Sequence, residues 1–411
     1  MERKAAREHY DADIQLEGGA DKLSCFANAF IKFTYRINPR NGQLSPAPAI
    51  PLLNNWKDDS LDPRIPAHTD YWPWKTYTDV GVVGSAFSDN GAMVTQLPVS
   101  VTVGKRSKRL MVFGQRLVEF NQGRPEIGST EAFNEQPLGL EHAYGGCDFR
   151  VPFEQDDPQA MGVTLESDHP GLYPRNPWGT GYLAVDDPVE GMPLPTQEDA
   201  GDLLTNQRLI ASSPDLWFQQ PLAAHIGWVP VNCYPRSLFM AIESEPWFPP
   251  PDNEQLQEVK LGHLANGYRE LLQDQVFGSD PHWRFHQEAV PDLMFNNDLH
   301  GAPVGLTGLH AEHPVLEFSL PDRPPEVQMK IEAVVETLEP ELTSVEIRPN
   351  DLLLTMTYTA SMDSTRPFIP GIHKNIPIAV SVNRDKAVRF ETPPTIKNLL
   401  KSAEKSAGTP S

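Results

Sequence analysis

The chain has 411 residues, with 34 Lys and Arg against 55 Asp and Glu and a formal charge of −21. A surface this acidic repels phosphate backbones and anionic lipid, so it argues against nucleic acid and membrane as partners and favours basic or neutral protein surfaces. The 41 prolines, each lacking a backbone donor and fixing φ, exclude a helical bundle and predict short strands joined by long proline-rich loops.

Residues 1–21 are charged, contain Gly18-Gly19 and predict a flexible leader without the apolar region of a signal peptide. No stretch reaches the roughly 18 apolar residues of a membrane span. Cys25, Cys147 and Cys233 stand far apart without CxxC spacing, which suits a reducing compartment and argues against a zinc ribbon or disulfide framework. The expected location is the cytoplasm. From Leu23 to Ile37 an aromatic and β-branched run predicts a strand, and a second short strand follows around Val80–Val83. Val99, Val101 and Val103 alternate before KRSK, and Leu110, Val112 and Phe113 answer after it, so this segment predicts a hairpin. Residues 121–250 lack clean periodicity and are rich in turn formers; they predict an irregular middle held by tertiary contacts.

Asp252 precedes Gln255 by three residues, and Leu256, Val259, Leu264, Tyr268 and Leu271 recur at helical spacing. This predicts one prominent helix over 252–275. Val327, Met329 and Ile331 then alternate, as do Val345 and Ile347 before a turn at Pro349-Asn350-Asp351. Leu352, Leu354, Met356 and Tyr358 share one face of the returning strand and Thr355 and Thr357 the other, which predicts an antiparallel pair with one buried side. Residues 391–411 predict a flexible tail. The fold class is therefore mainly β, with antiparallel, sandwich- or barrel-like sheets. A β-rich region spans 22–310, and a C-terminal antiparallel region spans 311–390.

Five segments in order carry a resemblance: WPWKTYTDVGVVGSAFS (72–88), VTVGKRSKRLMVFGQR (101–116), LEHAYGG (140–146), YPRNPWGTGY (173–182), and the stretch from FHQEAVPDL (285–293) to LEFSLP (316–321). Together they resemble the DUF2169 family. The matching positions are Lys75, Asp79, Gly104, Lys108, Gly114, Arg116, Glu141, Tyr144, Gly145, Gly146, Asn176, Pro177, Gly179 and Gly181. Gln115, His142 and Thr180 depart from the residues frequent there. The resemblance implies an accessory role in type VI secretion: an adaptor or chaperone that binds an effector and assists its loading onto a VgrG or PAAR spike component.

On their own chemistry, Lys75 and Asp79 fall in a β-branched run, where residues four apart lie about 13 Å apart, so they are expected to meet different partners. Gly145-Gly146 permits a tight turn or close backbone approach. Trp178, Tyr182, Trp228 and Trp247 are the candidate aromatic anchors for a partner, and exposed strand edges suit pairing with an extended peptide. The rival reading is an enzyme. His282 and His286 have metal-pair spacing on a helix, with Glu288, His310 and His313 nearby; Trp283 stands where HExxH requires glutamate. Asp168, Asp186, Asp187 and Glu190 near Trp178 and Tyr182 would suit a carbohydrate site. A structural component of the secretion apparatus is a third possibility. No G-x-S-x-G elbow, Walker A loop or G-x-G-x-x-G fingerprint occurs, so the expectation is a non-catalytic protein without cofactor or metal.

Overall fold

Period-two alternation governs most of what the chain builds. The computed structural model describes residues 9–18, 25–54, 68–73, 75–151, 171–184, 190–211, 217, 219–230, 233, 236, 286–331, 334–364 and 378–383. Its first strands are β1 (Tyr10–Gly18), β2 (Cys25–Ile37), β3 (Leu44–Pro46), β4 (Thr78–Val82), β5 (Ser85–Phe87), β6 (Gln96–Val103) and β7 (Arg106–Phe113). The middle carries β8 (Val118–Asn121), β9 (Arg124–Ile127), β10 (Glu135–Pro137), β11 (Tyr144–Gly145), β12 (Thr180–Gly181) and β13 (Gln197–Asp199). After it come β14 (Met294–Phe295), β15 (Pro303–Thr307), β16 (Val315–Ser319), β17 (Glu326–Ile331) and β18 (Val334–Leu338). The last three are β19 (Glu341–Arg348), β20 (Leu353–Ser364) and β21 (Ile378–Asn383).

The protein is mainly β, as expected. The largest sheet runs β1-β2-β20-β19-β4-β14, with β3 beside β2. Its pairings are antiparallel except β19 with β4, which is parallel. A five-stranded antiparallel sheet runs β13-β7-β6-β15-β16, and a three-stranded one runs β18-β17-β21. Ala27, Ala29, Ile31, Phe33, Tyr35 and Ile37 on β2 join Leu354, Met356, Tyr358 and Ala360 on β20 in one core. Val99, Val101, Leu110, Val112 and Leu306 of the five-stranded sheet enter the same cluster. At about 25 cal/mol per Å2 of apolar surface removed from water, this burial is the main stabilising contribution.

Several expectations are corrected. The leader assigned to 1–21 contains β1, which pairs along its whole length with β2. The boundary between 22–310 and 311–390 does not divide the sheets, because β20 and β19 insert between β2 and β4. The hairpin turn is only Gly104-Lys105, with Gly104 at φ +56; Arg106, Ser107 and Lys108 already belong to β7. Leu352 belongs to the turn, with φ +53, and stands just before β20. The pair β19–β20 has two buried sides, since Thr355, Thr357 and Thr359 are buried as fully as the apolar face opposite. Neighbouring loops cover that polar face, and polar groups can be buried there only because they bond to one another. The expected helix at 252–275 and the tail at 391–411 lie outside the described residues, among which no prominent helix occurs. No described helix is long and apolar enough to cross a membrane.

Candidate functional site

The polar face of the large sheet carries a row of ionisable side chains. Lys32 on β2 pairs in register with Thr357 on β20, Thr357 with Ser344 on β19, and Ser344 with Asp79 on β4. Over this row lie His68, Asp70, Lys75, Trp228, Arg236 and Glu288, supplied by loops far apart in sequence. Lys32 Nζ donates to Asp70 Oδ2 at 2.8 Å, and Thr357 Oγ1 and the Leu53 amide donate to the same carboxylate at 2.7 Å each. His68 lies between Asp70 and Glu288, with ring nitrogens 3.2 Å and 2.8 Å from their oxygens. Lys75 Nζ reaches Asp79 Oδ2 at 2.8 Å, Glu288 Oε2 at 2.9 Å and Ser344 Oγ at 3.1 Å. Glu288 further accepts from the Thr69 amide at 3.1 Å and from Arg236 at 3.5 Å, while its own amide donates to Asp79.

All these groups are buried. Burial alone would lower the pKa of His68, but Glu288 and then Asp70 outweigh it and raise it from 6.5 to about 9. Burial likewise opposes ionisation of Glu288, yet Lys75, His68 and Arg236 hold its carboxyl well below the usual range. His68 is therefore an imidazolium at neutral pH, donating from both nitrogens. Its ring stacks on Trp228 with centroids 4.0 Å apart, a cation–π contact. The indole Nε1–H donates to Glu346 Oε2 at 2.8 Å, and Arg348 donates to the other oxygen of Glu346 at 2.6 Å. The indole also lies against Gly81 of β4, where a Cβ would come within 2.6 Å of the ring. His225, bonded to the Trp228 carbonyl at 3.1 Å, is pushed down by burial to about 4 and stays neutral.

Lys75 and Asp79 thus meet directly, contrary to the separation expected on a strand. β4 begins only at Thr78, and the bend at Thr76-Tyr77 folds Lys75 back over the sheet. Lys108 bonds Asp199 at 2.5 Å and Asp292 at 3.1 Å, tying β7 to β13 and to the turn at Pro291–Leu293. Arg116 bonds Glu198 and the Pro195 carbonyl and lies over the Phe113 ring, 3.9 Å from its centroid. Gly114 passes so close to the Glu131 carbonyl that a Cβ would come within 1.9 Å of that oxygen.

The LEHAYGG and NPWGTGY segments form one structural unit. Tyr144 and Gly145 pair in parallel with Thr180 and Gly181. The Asn176 amide group donates to the carbonyls of Leu140 at 2.6 Å and Tyr144 at 3.2 Å, and the Gly146 amide donates to Asn176 O at 2.9 Å. A Cβ on Gly145, at φ +156, would lie 2.2 Å from Asn176 O, so close backbone approach is the use made of this glycine pair. Tyr144, Tyr173 and Tyr182 pack together in a second core beside Val118 and Leu209. Glu141 is exposed, 3.7 Å from His142, and Pro177 and Gly179 are partly buried.

Of the four aromatic anchors, Tyr182 is only 1% exposed and Trp228 only 7%; both fasten the interior and offer almost no surface. Trp178 is half-buried, and Trp247 lies outside the described residues. His286 packs on Trp72, with rings 4.4 Å apart, and Glu288 belongs to the charge network. His310 and His313 form a separate pair with rings 4.8 Å apart. His282, Asp168, Asp186 and Asp187 lie outside the described residues. Among the described residues no group of three or more His, Cys, Asp and Glu is arranged to hold a metal ion. Lys32, His68, Asp70, Arg236 and Glu346 were not anticipated as a constellation. The available signal was Lys32 standing in phase with Phe30 and Thr34 inside a strand rich in aromatic and β-branched residues.

Beside this network an open trough of about 930 Å3 runs from Tyr77 and Phe295 to Leu338 and Leu342. These features define a mainly β protein whose principal buried charges are matched against one another across a sheet. A model of the family DUF2169, described as an uncharacterized protein conserved in bacteria, matches residues 26–359, and the chain belongs to that family. No curated protein and no solved structure matched the chain.

Proposed function

We propose that the protein is a non-catalytic adaptor of type VI secretion that acts in the cytoplasm, binding an effector and assisting its loading onto a VgrG or PAAR spike component. The observation that supports this best is the closure of the charge network. Its carboxylates, ammonium groups and imidazolium engage one another and the backbone, so they serve as a rigid interior rather than as an acid, base or nucleophile facing a cleft. The resemblance of its motifs to secretion adaptors supplies the partner class. The acidity of the chain supports a basic or neutral protein partner over nucleic acid or lipid.

The test is co-purification. Tagged protein expressed with its neighbouring genes should retain an effector and a spike protein in stoichiometric amounts, and deleting it should abolish effector delivery while leaving effector synthesis intact. Effector delivery at the normal level without this protein would overturn the proposal.

A further inference from the structure

We infer that the free edge of β18, continued by the acidic lip of the trough, is the docking strand for an extended basic segment of the partner; this rests on the adaptor reading and gives it a binding surface. β18 is the outermost strand of its sheet, and no other described strand pairs with its second edge. Val334 and Val335 are 49% and 47% exposed, and Glu336 and Thr337 are exposed as well. Successive side chains point to opposite faces of a strand, so from Val334 to Thr337 both faces of β18 are open among the described residues, while Leu338 anchors the strand's end against the core. Edges of this kind are ordinarily blunted by charged side chains, proline or a bulge. β18 has no proline or bulge and its one charge is the acidic Glu336, which would repel an acidic strand and accept a basic one; its register with β17 is unbroken from Ile331↔Val334 to Val327↔Leu338.

The charges choose the occupant. A second copy paired antiparallel about the centre of β18 would set Glu336 against Glu336, a repulsive cross-strand pair. Just beyond Leu338, Glu339 and Glu341 are exposed on the trough, with exposed Asp298 also lining it. Lys75 contributes no free cation there, because its ammonium is already bound to Asp79 and Glu288. Tyr77 and Leu342, both partly exposed, supply apolar surface between these carboxylates. A segment alternating lysine or arginine with β-branched residues matches this surface. About five of its residues, roughly 17 Å, would add to β18 through backbone hydrogen bonds, and the next would enter the trough.

The probe is a fluorescent ten-residue peptide of alternating lysine and valine, titrated into the full chain at physiological salt and read by anisotropy, with hydrogen exchange followed in parallel. Saturable binding is expected, with slowed amide exchange at 334–338. Binding should weaken at least tenfold in the Glu336→Lys/Glu339→Lys variant, whose changes are at exposed positions. It should weaken at least tenfold too for the same peptide N-methylated at alternate residues, which keeps its charge and loses its donors. Equal binding of the methylated and unmethylated peptides, or parental affinity in the double variant, would overturn the docking strand. Co-purification of an effector with the double variant at parental yield would also overturn it while leaving the adaptor reading in place. Absence of an effector from the parental pull-down, with peptide binding intact, would count against the adaptor reading alone.

Discussion

Glu288 gathers more charge than any other described side chain, touching His68, Lys75 and Arg236. Removing one partner from a buried network leaves the others uncompensated, so Glu288→Gln should cost about 3–5 kcal/mol of unfolding free energy, read by urea denaturation. A loss under about 1 kcal/mol would show that these charges are not coupled. The pH dependence follows from the shifts. His68 is raised from 6.5 to about 9, so its stabilisation is complete below pH 6.5 and disappears as pH rises through 9. Glu288 is lowered, so its contribution is present above about pH 4.5 and fades as pH falls below that value. His68→Gln should therefore flatten the loss of thermal stability between pH 6.5 and 9; an unchanged alkaline limb would refute the assignment. The sequence displayed Lys75 and Asp79 but not their contact, because a bend of two residues cannot be read from propensity. His68, Asp70 and Glu288 were illegible as a set, since 220 residues separate the histidine from the glutamate it bonds.

At the scale of elements, β2 was legible as an aromatic and β-branched run, and the β6–β7 and β19–β20 pairs from their alternation, with only the turn residues misplaced. The covered polar face of β20 was not, because alternation of Thr with Leu, Met and Tyr is the same pattern whether water or a second layer of loops lies outside. The docked LEHAYGG and NPWGTGY segments make their own prediction. Gly145→Ala would drive a methyl into Asn176 O at a φ unfavourable to alanine and should separate the two segments. Limited proteolysis should then cut between residues 140 and 184 several-fold faster than in the parent, and an unchanged rate would refute the account. Gly81→Ala should destabilise by about 1–3 kcal/mol, because its methyl collides with the Trp228 indole. Trp228→Leu in the same chain should recover part of that loss, as measured by a double-mutant cycle.

For the whole molecule, the formal charge of −21 and the buried network predict opposite responses to salt. Surface fields are screened within about 10 Å at 0.1 M salt, whereas buried pairs are screened far less. Raising salt from about 0.05 to 0.5 M should slow association with a basic partner about tenfold, yet move the melting temperature by only a few degrees. Stopped-flow mixing and calorimetry on one preparation separate the two, and a melting temperature that tracks the association rate would refute the distinction. Length, composition and alternation made the mainly β class legible; strand order was not, because it depends on pairings between distant ends of the chain. The β2–β20 pairing, Cys25↔Ser364 to Arg36↔Leu353, has a consequence for biosynthesis. At about 5–20 residues per second, a ribosome needs roughly a quarter of a minute to a minute to deliver the partner of β2. Throughout that interval β1 can cover one edge of β2, but the edge that β20 will take stays open beside Phe30, Ile31, Phe33 and Tyr35, which makes it the segment that holding chaperones must shield until translation is nearly done.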